Sequence, residues 1–186
     1  MSAEHVQPTH RVHDTRRRIL LAAARVLARR EAASMAEIAA EADITRGTLY
    51  RHFPGRETLV HALEAAANDE AGRRLAEANL DLVPVSEGLA RATRALVTVG
   101  ADFVVLLRER RPPEPAFTAP LETLLERGRE EGQLRTDVSV ATLVESLLAL
   151  VAVSVRAGRQ EGAGLEDMSA TALRLFLTGA RAAAPA

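Results

Sequence analysis

Residues 34–53, which read SMAEIAAEADITRGTLYRHF, restrict the possible folds more than any other stretch of the chain. Ser34 stands three residues before Glu37, which is the spacing of a capping box, where each side chain satisfies a backbone amide at the start of a helix. Apolar residues then recur at helical spacing as far as Asp43, a residue type that tolerates the left-handed conformation of a turn. Thr45 can cap a second helix. The stretch therefore predicts two short helices joined by a tight turn, a helix-turn-helix.

The second of these helices is expected to have one apolar face and one basic and aromatic face. Ile44, Leu49 and Phe53 would point inward. The residues expected on the outward face are Arg46, Gly47, Tyr50 and Arg51. Because the second helix of a helix-turn-helix enters the major groove of DNA, this outward face indicates DNA binding.

The stretch resembles the DNA-binding motif of the tetracycline-repressor (TetR) family of bacterial transcriptional regulators. The family pattern is roughly a Thr or Ser, then Ile-Ala, Ala-Gly-Val-Ser and Thr-Leu-Tyr-x-His/Tyr-Phe. Here it appears as Ser34, Ile38-Ala39, Ala42-Asp43-Ile44-Thr45 and Thr48-Leu49-Tyr50-Arg51-His52-Phe53. Two departures are Asp43 in place of the usual glycine and a short, glycine-free segment at residues 29–33. The resemblance implies an all-α fold, with an N-terminal three-helix domain that carries the helix-turn-helix and a C-terminal helical domain that binds a ligand and dimerises.

The resemblance also suggests which residues contact DNA. Arg46 is the first choice for a base contact, because a guanidinium matches the two major-groove acceptors of guanine. The other candidates from the motif and its flanks are Ser34, Thr45, Gly47, Thr48, Tyr50, His52 and Arg56. Alternatives remain for three positions, since Tyr50 could be a packing residue, His52 a neutral surface histidine and Arg51 a solvated charge.

An arginine cluster precedes the motif. Arg11, Arg16, Arg17 and Arg18 lie where an N-terminal arm would meet the first helix, from which they could reach phosphates. We take Arg17 as the candidate contact. The alternative is a solvated helix start, although four arginines there oppose the helix dipole.

Charge is unevenly distributed although the net charge is only −1. Residues 1–61 hold ten arginines against seven acids, a balance of +3, and the remainder holds fourteen arginines against eighteen acids, a balance of −4. The basic part is the part with the predicted DNA-binding motif. The chain has no cysteine, which excludes disulfides and cysteine zinc sites. With no secretory segment and no apolar run near the ~20 residues of a membrane span, we expect a cytoplasmic protein without a membrane partner.

The helical pattern gives a domain plan. We expect a disordered arm at residues 1–13, a DNA-binding domain at 14–62 that contains the motif at 34–53, a second helical domain at 63–182 and a tail at 183–186. The first helix would begin near Asp14, and the fourth would begin after Pro54-Gly55 and run toward Asn79. Further helices are predicted at 87–99, 102–110 after a break at Gly100, 116–131, 139–159 and 166–182.

The helix predicted at residues 139–159 is apolar around nearly its whole circumference. One side can face the core, and a partner subunit best explains the other. By resemblance, this helix and the last one would pair with their two-fold copies as a four-helix bundle. The predicted homodimer contacts are Leu143, Leu147, Val151, Leu173, Phe176 and Leu177. The alternative is a monomer with an unusually apolar core helix.

The second domain would sense an unidentified small-molecule effector. The polar residues in apolar surroundings that could contact it are Thr98, Asp102, Glu145 and Ser154. Asp102 could instead cap a helix, and Ser154 could bond within its own helix.

The predicted function is a ligand-responsive transcriptional regulator that binds a palindromic double-stranded DNA operator as a dimer. We expect it to be a repressor, because repression is the commonest role in the family that it resembles. One alternative is a DNA-binding dimer with a filled core that senses nothing. The other is a helical-bundle enzyme, but the chain has no P-loop, nucleophile elbow or dinucleotide fingerprint, and we expect no cofactor and no metal. The only hint of a metal or acid–base pair is His61 and Glu64, one helical turn apart.

Overall fold

The chain folds almost entirely into helices. The computed structural model describes residues 8–30, 32–103 and 115–182, and within them it contains eight α-helices, one 3-10 turn and a single isolated β-bridge. The helices are α1 Pro8–Arg29, α2 Met35–Glu41, α3 Arg46–His52, α4 Arg56–Glu77, α5 Val85–Asp102, α6 Pro115–Glu130, α7 Val140–Glu161 and α8 Leu165–Ala180. The 3-10 turn, Leu80–Leu82, follows α4. The all-α prediction is confirmed.

The chain divides into two compact units, of which the first ends at Ala66 and the second begins at Ala67. The first contains α1, α2 and α3, and the second contains the 3-10 turn and α5 to α8. Helix α4 is continuous across the division. The domain boundary proposed at residues 62–63 from the sequence stays a prediction.

Helix α1 begins at Pro8 rather than near Asp14, so the prediction that residues 8–13 belong to an unstructured arm is wrong. Proline suits this place, because its missing N–H would have no partner in the first turn and its φ is already helical. The rest of the predicted arm, residues 1–7, and the predicted tail, residues 183–186, lie outside the described residues, as do the side chains of residues 8–13.

The core of the first unit forms as the sequence pattern predicts. Helix α1 packs on α2, and α2 packs on α3. The apolar residues of α1 from Ile19 to Leu27 form a buried stripe, and Ile38 of α2 is buried too. Leu49 of α3 and Phe53, the residue after α3, are buried as expected. Ile44, which precedes α3, is only half-buried.

In the second unit, α7 packs most extensively on α8, and α5 packs on both. Helix α5 runs through Gly100 to Asp102, so the predicted break at Gly100 is wrong. A glycine in a helix costs about 1 kcal/mol relative to alanine, and Gly100 is buried, so packing outweighs that cost. Of the helix predicted at 102–110, residues 104–110 lie outside the described residues.

Helix α7 has the composition of a membrane span but is packed as a core helix. Its length and its mean hydropathy of 1.8 over eighteen residues meet the requirement of a span, which the sequence analysis did not expect of any segment. A single apolar helix is weak evidence for a membrane, and α7 packs against α5, α6 and α8. Ser139 caps its start, with Oγ accepting the Thr142 amide at 3.1 Å.

Most of the residues predicted from the sequence as dimer contacts are buried within a single chain, and the interface itself stays a prediction. Leu143, Leu147, Val151 and Phe176 are 0–4% exposed in a single chain, where they fill the core of the second unit. Leu173 and Leu177 are half-buried. The other face of α7 and α8 carries large apolar side chains that the chain leaves uncovered, namely Val153 at 45% exposure and Leu175 at 47%. Hydrophobic pattern marks a helix as apolar all round, but it does not say which side faces its own chain.

Candidate DNA-binding surface

The helix-turn-helix begins with the predicted capping box. Ser34 Oγ accepts a hydrogen bond from the Glu37 amide at 3.3 Å, and the Ser34 amide donates to Glu37 Oε2 at 2.8 Å. Each side chain thus satisfies a backbone donor at the start of α2. The hydrogen bonds to Glu37 fix the orientation of the Ser34 hydroxyl. A phosphate that approaches the start of α2 would therefore meet a hydroxyl that is already ordered.

The turn between α2 and α3 also forms as expected. Asp43 adopts φ +53°, the left-handed conformation in which the family more often has glycine. Thr45 then caps α3, with its Oγ1 accepting the Thr48 amide at 3.1 Å. The turn residue Asp43 and the N-cap residue Thr45 were therefore sufficient to predict where α3 begins.

Arginines of α1 fasten α2 in place. Arg25 Nε and Arg29 Nη2 donate to the two carboxylate oxygens of Glu41 at 3.2 and 2.7 Å, and Arg30 pairs with Glu37. The hydrogen bonds from Arg25 and Arg29 lower the pKa of the Glu41 carboxyl below its ordinary value of 4.5. These pairs orient the helix-turn-helix on α1.

Two arginines of the N-terminal cluster contact other residues of the domain, which the sequence pattern did not predict. Arg18 Nη2 donates to the Ala42 carbonyl at 3.1 Å, at the end of α2. The Arg16 guanidinium lies over the ring of Phe53, 5.0 Å from its centre, just after α3. Both therefore support the motif from α1, and Arg17, which is exposed, remains the candidate phosphate contact of the cluster.

The outward face of α3 is exposed along its length. Arg46 and Gly47 are exposed, and Tyr50 is 48% exposed. A Cβ built on Gly47 would meet only Thr45 Oγ1, at 3.9 Å, so the fold itself does not require a glycine there. This face is available for a partner to approach closely.

One side of the α3 surface is ordered by side-chain hydrogen bonds. Thr45 Oγ1 and Thr48 Oγ1 are 3.0 Å apart, and Arg51 Nη2 donates to Thr48 Oγ1 at 3.2 Å. Thr48 is consequently half-buried and bonded on both sides. Arg51, which the sequence left open as a solvated charge, is held on the same surface as Thr48.

The flanks of α3 contribute further candidates. Arg56 Nη1 donates to the Ala33 carbonyl at 2.6 Å, which ties the start of α4 to the segment before α2. Together with Ser34 and Met35, these residues line an open depression of about 560 Å³. His52 is half-buried, with its ring 6.4 Å from that of Phe53.

The four effector candidates differ sharply in their surroundings. Thr98 donates to the Arg94 carbonyl of its own helix at 2.9 Å. Asp102 is the last residue of α5 and is exposed, and residues 104–110 of the helix that it was expected to cap lie outside the described residues. Glu145 is exposed too. Ser154 is 5% exposed, and its Oγ has no hydrogen-bond partner within the described part of the chain, contrary to the alternative of a bond within its own helix.

The His61–Glu64 pair has the geometry of an ordinary helix-surface contact. Nδ1 of His61 and Oε2 of Glu64 are 3.2 Å apart on α4. Across the ranges that the structure describes, no three histidine or acidic side chains come together as metal ligands would.

The comparisons with known proteins agree with this geometry. Residues 19–63 match the family model for bacterial regulatory proteins of the tetR family. Over 178 residues the chain is 26% identical to the transcriptional regulator NfxB of Pseudomonas aeruginosa, covering 90% of this chain and 94% of NfxB. Over 86 residues it is 35% identical to the transcriptional repressor LfrR of Mycolicibacterium smegmatis, covering 46% of each chain.

Two solved structures share the fold. The structure of the TetR family protein CprB from S. coelicolor A3(2) matches with a TM-score of 0.70 and 26% identity, over 93% of this chain and 91% of CprB. LfrR in complex with proflavine matches with a TM-score of 0.66 and 24% identity, over 92% and 99%. These relatives are regulators rather than enzymes. These matches support a transcriptional regulator of the TetR family, with the family's DNA-binding domain at residues 19–63.

Proposed function

We propose that this protein is a cytoplasmic, ligand-responsive repressor that binds a palindromic operator as a homodimer and leaves it when a small-molecule effector binds. The observation that carries the DNA-binding part is the outward face of α3. Arg46, Gly47 and Tyr50 are exposed there, although their helix is otherwise fixed by caps and buried leucine and phenylalanine side chains. Side chains that the fold does not use are the ones available to read a base sequence.

Each candidate contact has a role that its chemistry suggests. Arg46 would donate to a guanine edge, and Gly47 would allow the helix to come close to the groove. Tyr50 and Arg17 would hydrogen-bond or pair with phosphates, which fixes the register of the helix on DNA. The contacts proposed to act with them, at the caps and flanks of α3, are Ser34, Thr45, Thr48, His52 and Arg56.

Fluorescence anisotropy against the DNA upstream of the protein's own gene tests this role, with a site selected from a random library as the second substrate. The wild type should bind a specific duplex tightly with a steep salt dependence. Arg46→Ala should lose most of the preference for that duplex over random DNA. Arg94→Ala is the control and should bind as the wild type does, because it removes an exposed arginine of α5 that pairs with Glu166 in the second unit. Weak binding that is equal on every duplex would reject the proposal.

The homodimer is proposed to form through the uncovered faces of α7 and α8. Val153 and Leu175 are each nearly half-exposed, and Leu165 is 42% exposed at the start of α8. Burying such side chains against a second copy would remove about 25 cal/mol per Å² of apolar surface from water. Two copies related by a two-fold axis would present two recognition helices to a palindrome.

Effector binding is proposed to involve Ser154. Its hydroxyl is buried in an apolar helix face and unpaired, a state that ordinarily costs about 1–3 kcal/mol and that a ligand polar group would relieve. Thr98, Asp102 and Glu145 are weaker candidates, because the first is bonded to its own helix and the other two are exposed.

A thermal-shift screen that includes proflavine, the ligand in the LfrR structure, tests this part. A hit should raise the unfolding temperature of the wild type, release operator DNA and lose affinity in Ser154→Ala. Ser146→Ala is the control, because Ser146 is exposed and its hydroxyl bonds to the Thr142 carbonyl of the same helix. Hits that bind without changing operator affinity would favour a dimer that does not sense its ligand.

A further inference from the structure

Arg51, in the last turn of α3, is held by a chain of hydrogen bonds that begins at the N-cap of the helix. Its Nη2 donates to Thr48 Oγ1 at 3.2 Å, and Thr48 Oγ1 lies 3.0 Å from Thr45 Oγ1. Because Thr48 accepts the bond from Arg51, its own hydroxyl proton is available for Thr45. Thr45 in turn caps α3, so the position of the guanidinium is fixed relative to the helix itself.

The bond to Thr48 brings the guanidinium toward the N-terminal half of α3. Thr48 stands three residues before Arg51 and is the third residue of the helix. In a helix-turn-helix, the N-terminal residues of the recognition helix are the ones that contact base edges. Arg51 therefore belongs to the last turn by its backbone, but it places its donors beside the part of the helix that reads bases.

Around the helix axis, Arg51 lies next to Gly47. With about 3.6 residues per turn, Arg51 is about 40° from Gly47 on one side, and Arg46 is about 100° from it on the other. Gly47 has no side chain, and a Cβ there would meet no atom closer than 3.9 Å, so a DNA groove can come closest to α3 at this residue. The two arginines consequently flank the point of closest approach.

Most of the donors of Arg51 are available to a partner. A guanidinium carries several N–H donors in a planar fork, and the bond to Thr48 uses only part of them. Arg25 and Arg29 of the same unit pair with the carboxylate of Glu41, whereas no carboxylate pairs with Arg51 among the residues that the structure describes. Its charge is thus not neutralised there, and its fork matches the N7 and O6 acceptors of guanine in the major groove.

We propose that Arg51 is a second base-reading residue of α3, which recognises a guanine in each operator half-site and is positioned for this contact by Thr48. The hydrogen bond holds the side chain before DNA arrives, so less conformational entropy is lost on binding. The proposal rests on the proposed DNA-binding function. It adds to each half-site one specified base pair besides the one assigned to Arg46.

Duplexes with modified guanines test this assignment. A duplex selected from a random library is the probe, and each guanine of the half-site is replaced in turn by 7-deazaguanine, which still pairs with cytosine but lacks the N7 acceptor. For the wild type, replacement at two positions should lower affinity in fluorescence anisotropy by about 5-fold or more. For Arg51→Ala, one of these positions should become insensitive, while the position read by Arg46 stays sensitive.

Thr48→Val tests the positioning role, because it removes the hydroxyl and keeps the shape of the side chain. The readout is the ratio of the affinities for the normal and the modified duplex at the Arg51 position, which a change in protein stability would not alter. Thr48→Val should lower this ratio by about 2- to 10-fold. In the Arg51→Ala background it should have no further effect on the ratio.

Arg174→Ala is the matched control. Arg174 of α8 also donates to a threonine three residues earlier, with Nη2 lying 3.5 Å from Thr171 Oγ1, but it belongs to the second unit. This variant should keep the wild-type ratio at every modified guanine, because the ratio does not depend on how tightly the dimer is held together.

The base-reading role is overturned if every guanine that is sensitive in the wild type stays sensitive in Arg51→Ala. If that variant also binds all duplexes more weakly, with a salt slope lower by about one, Arg51 is a phosphate contact instead. The positioning role is overturned if Thr48→Val keeps the full ratio. Failure of the DNA-binding function itself is a different result, since the wild type would then bind no duplex specifically.

Discussion

The guanidinium of Arg16 lies 5.0 Å from the centre of the Phe53 ring. This contact joins α1 to the residue that ends the recognition helix, so an arginine that looks like a DNA contact in the sequence has a structural partner. A cation–π contact at an exposed site is worth about 0.5–1 kcal/mol.

Arg16→Ala should therefore lower the free energy of unfolding by about 0.5–1 kcal/mol, measured by urea denaturation without DNA. Arg17→Ala is the comparison, since Arg17 is exposed next to it. That variant should leave stability unchanged and lower the salt slope of operator binding by about one. Equal stability effects from the two substitutions would contradict the assignment of Arg16 to the fold.

Gly47→Ala should separate stability from DNA affinity. A Cβ at Gly47 would meet no atom closer than 3.9 Å in the free protein, and alanine favours a helix over glycine by up to about 1 kcal/mol. The unfolding temperature should stay the same or rise, while operator affinity falls because the added methyl group meets the DNA. Gly72→Ala in α4 also enters open space and should leave affinity unchanged. Wild-type affinity in Gly47→Ala would show that the helix does not approach the groove at this residue.

Gly158→Ala should destabilise the second unit. The new Cβ would lie 2.6 Å from Met168 Cγ and 3.1 Å from its Cε, so α7 and α8 must separate or Met168 must move. Overpacking of this kind costs about 1–3 kcal/mol. A double variant with Met168→Ala should lose less stability in chemical denaturation than the sum of the two single variants, because the removed side chain is the one that the new Cβ meets. Gly179→Ala, with open space around it, should cost little. Additive losses in the double variant would argue against the close contact.

Acid should weaken the attachment of α2 to α1. The pKa of the Glu41 carboxyl is lowered below 4.5 by its hydrogen bonds with Arg25 and Arg29, so its contribution to stability is complete above about pH 4.5 and is lost as the pH falls through the lowered pKa. Glu41→Gln should be less stable than the wild type at pH 7, and the difference should shrink in acid. Urea unfolding at several pH values between 3 and 7 measures both proteins. A difference between the wild type and Glu41→Gln that stays constant down to pH 3 would contradict this role of the Glu41 carboxylate.

The dimer should depend on the uncovered face of α7 and α8. Val153→Glu combined with Leu175→Glu would place charges in the proposed interface and should weaken dimerisation by roughly 100-fold or more. Light scattering after size exclusion should then give the monomer mass. Leu82→Glu is the control, because Leu82 is 76% exposed on the 3-10 turn, away from both helices in sequence. A double variant that remains dimeric would place the interface elsewhere.

Local signals made the helix-turn-helix predictable. The capping box of Ser34, the turn at Asp43 and the N-cap at Thr45 each depend on residues within four positions of one another, and all three are present. The start of α1 was predicted too late, because Pro8 is favourable at the first position of a helix. The continuity of α5 was missed, because packing of the buried Gly100 outweighs the tendency of glycine to break a helix.

Long-range contacts were beyond the sequence pattern. The guanidinium of Arg127 donates to carbonyls of residues 80–83, which lie 44 to 47 residues earlier, and nothing near Arg127 in the sequence indicates this. The side of α7 that a partner would cover is hard to predict for a related reason. Leu147 and Val153 of α7 look alike in a hydrophobic pattern, and only the packing of α5 and α8 shows that the first is buried and the second is uncovered.

Because α3 is short, one protomer can contact only a few base pairs. Its seven residues span about 10 Å, which is the length of roughly three base pairs. A given sequence of three base pairs recurs by chance about once in 64 positions, far too often to distinguish one promoter from the million or more other sites of a genome. In the proposed dimer, recognition therefore requires two such sequences at one fixed separation, so a change in that separation would abolish binding without altering any contact to a base.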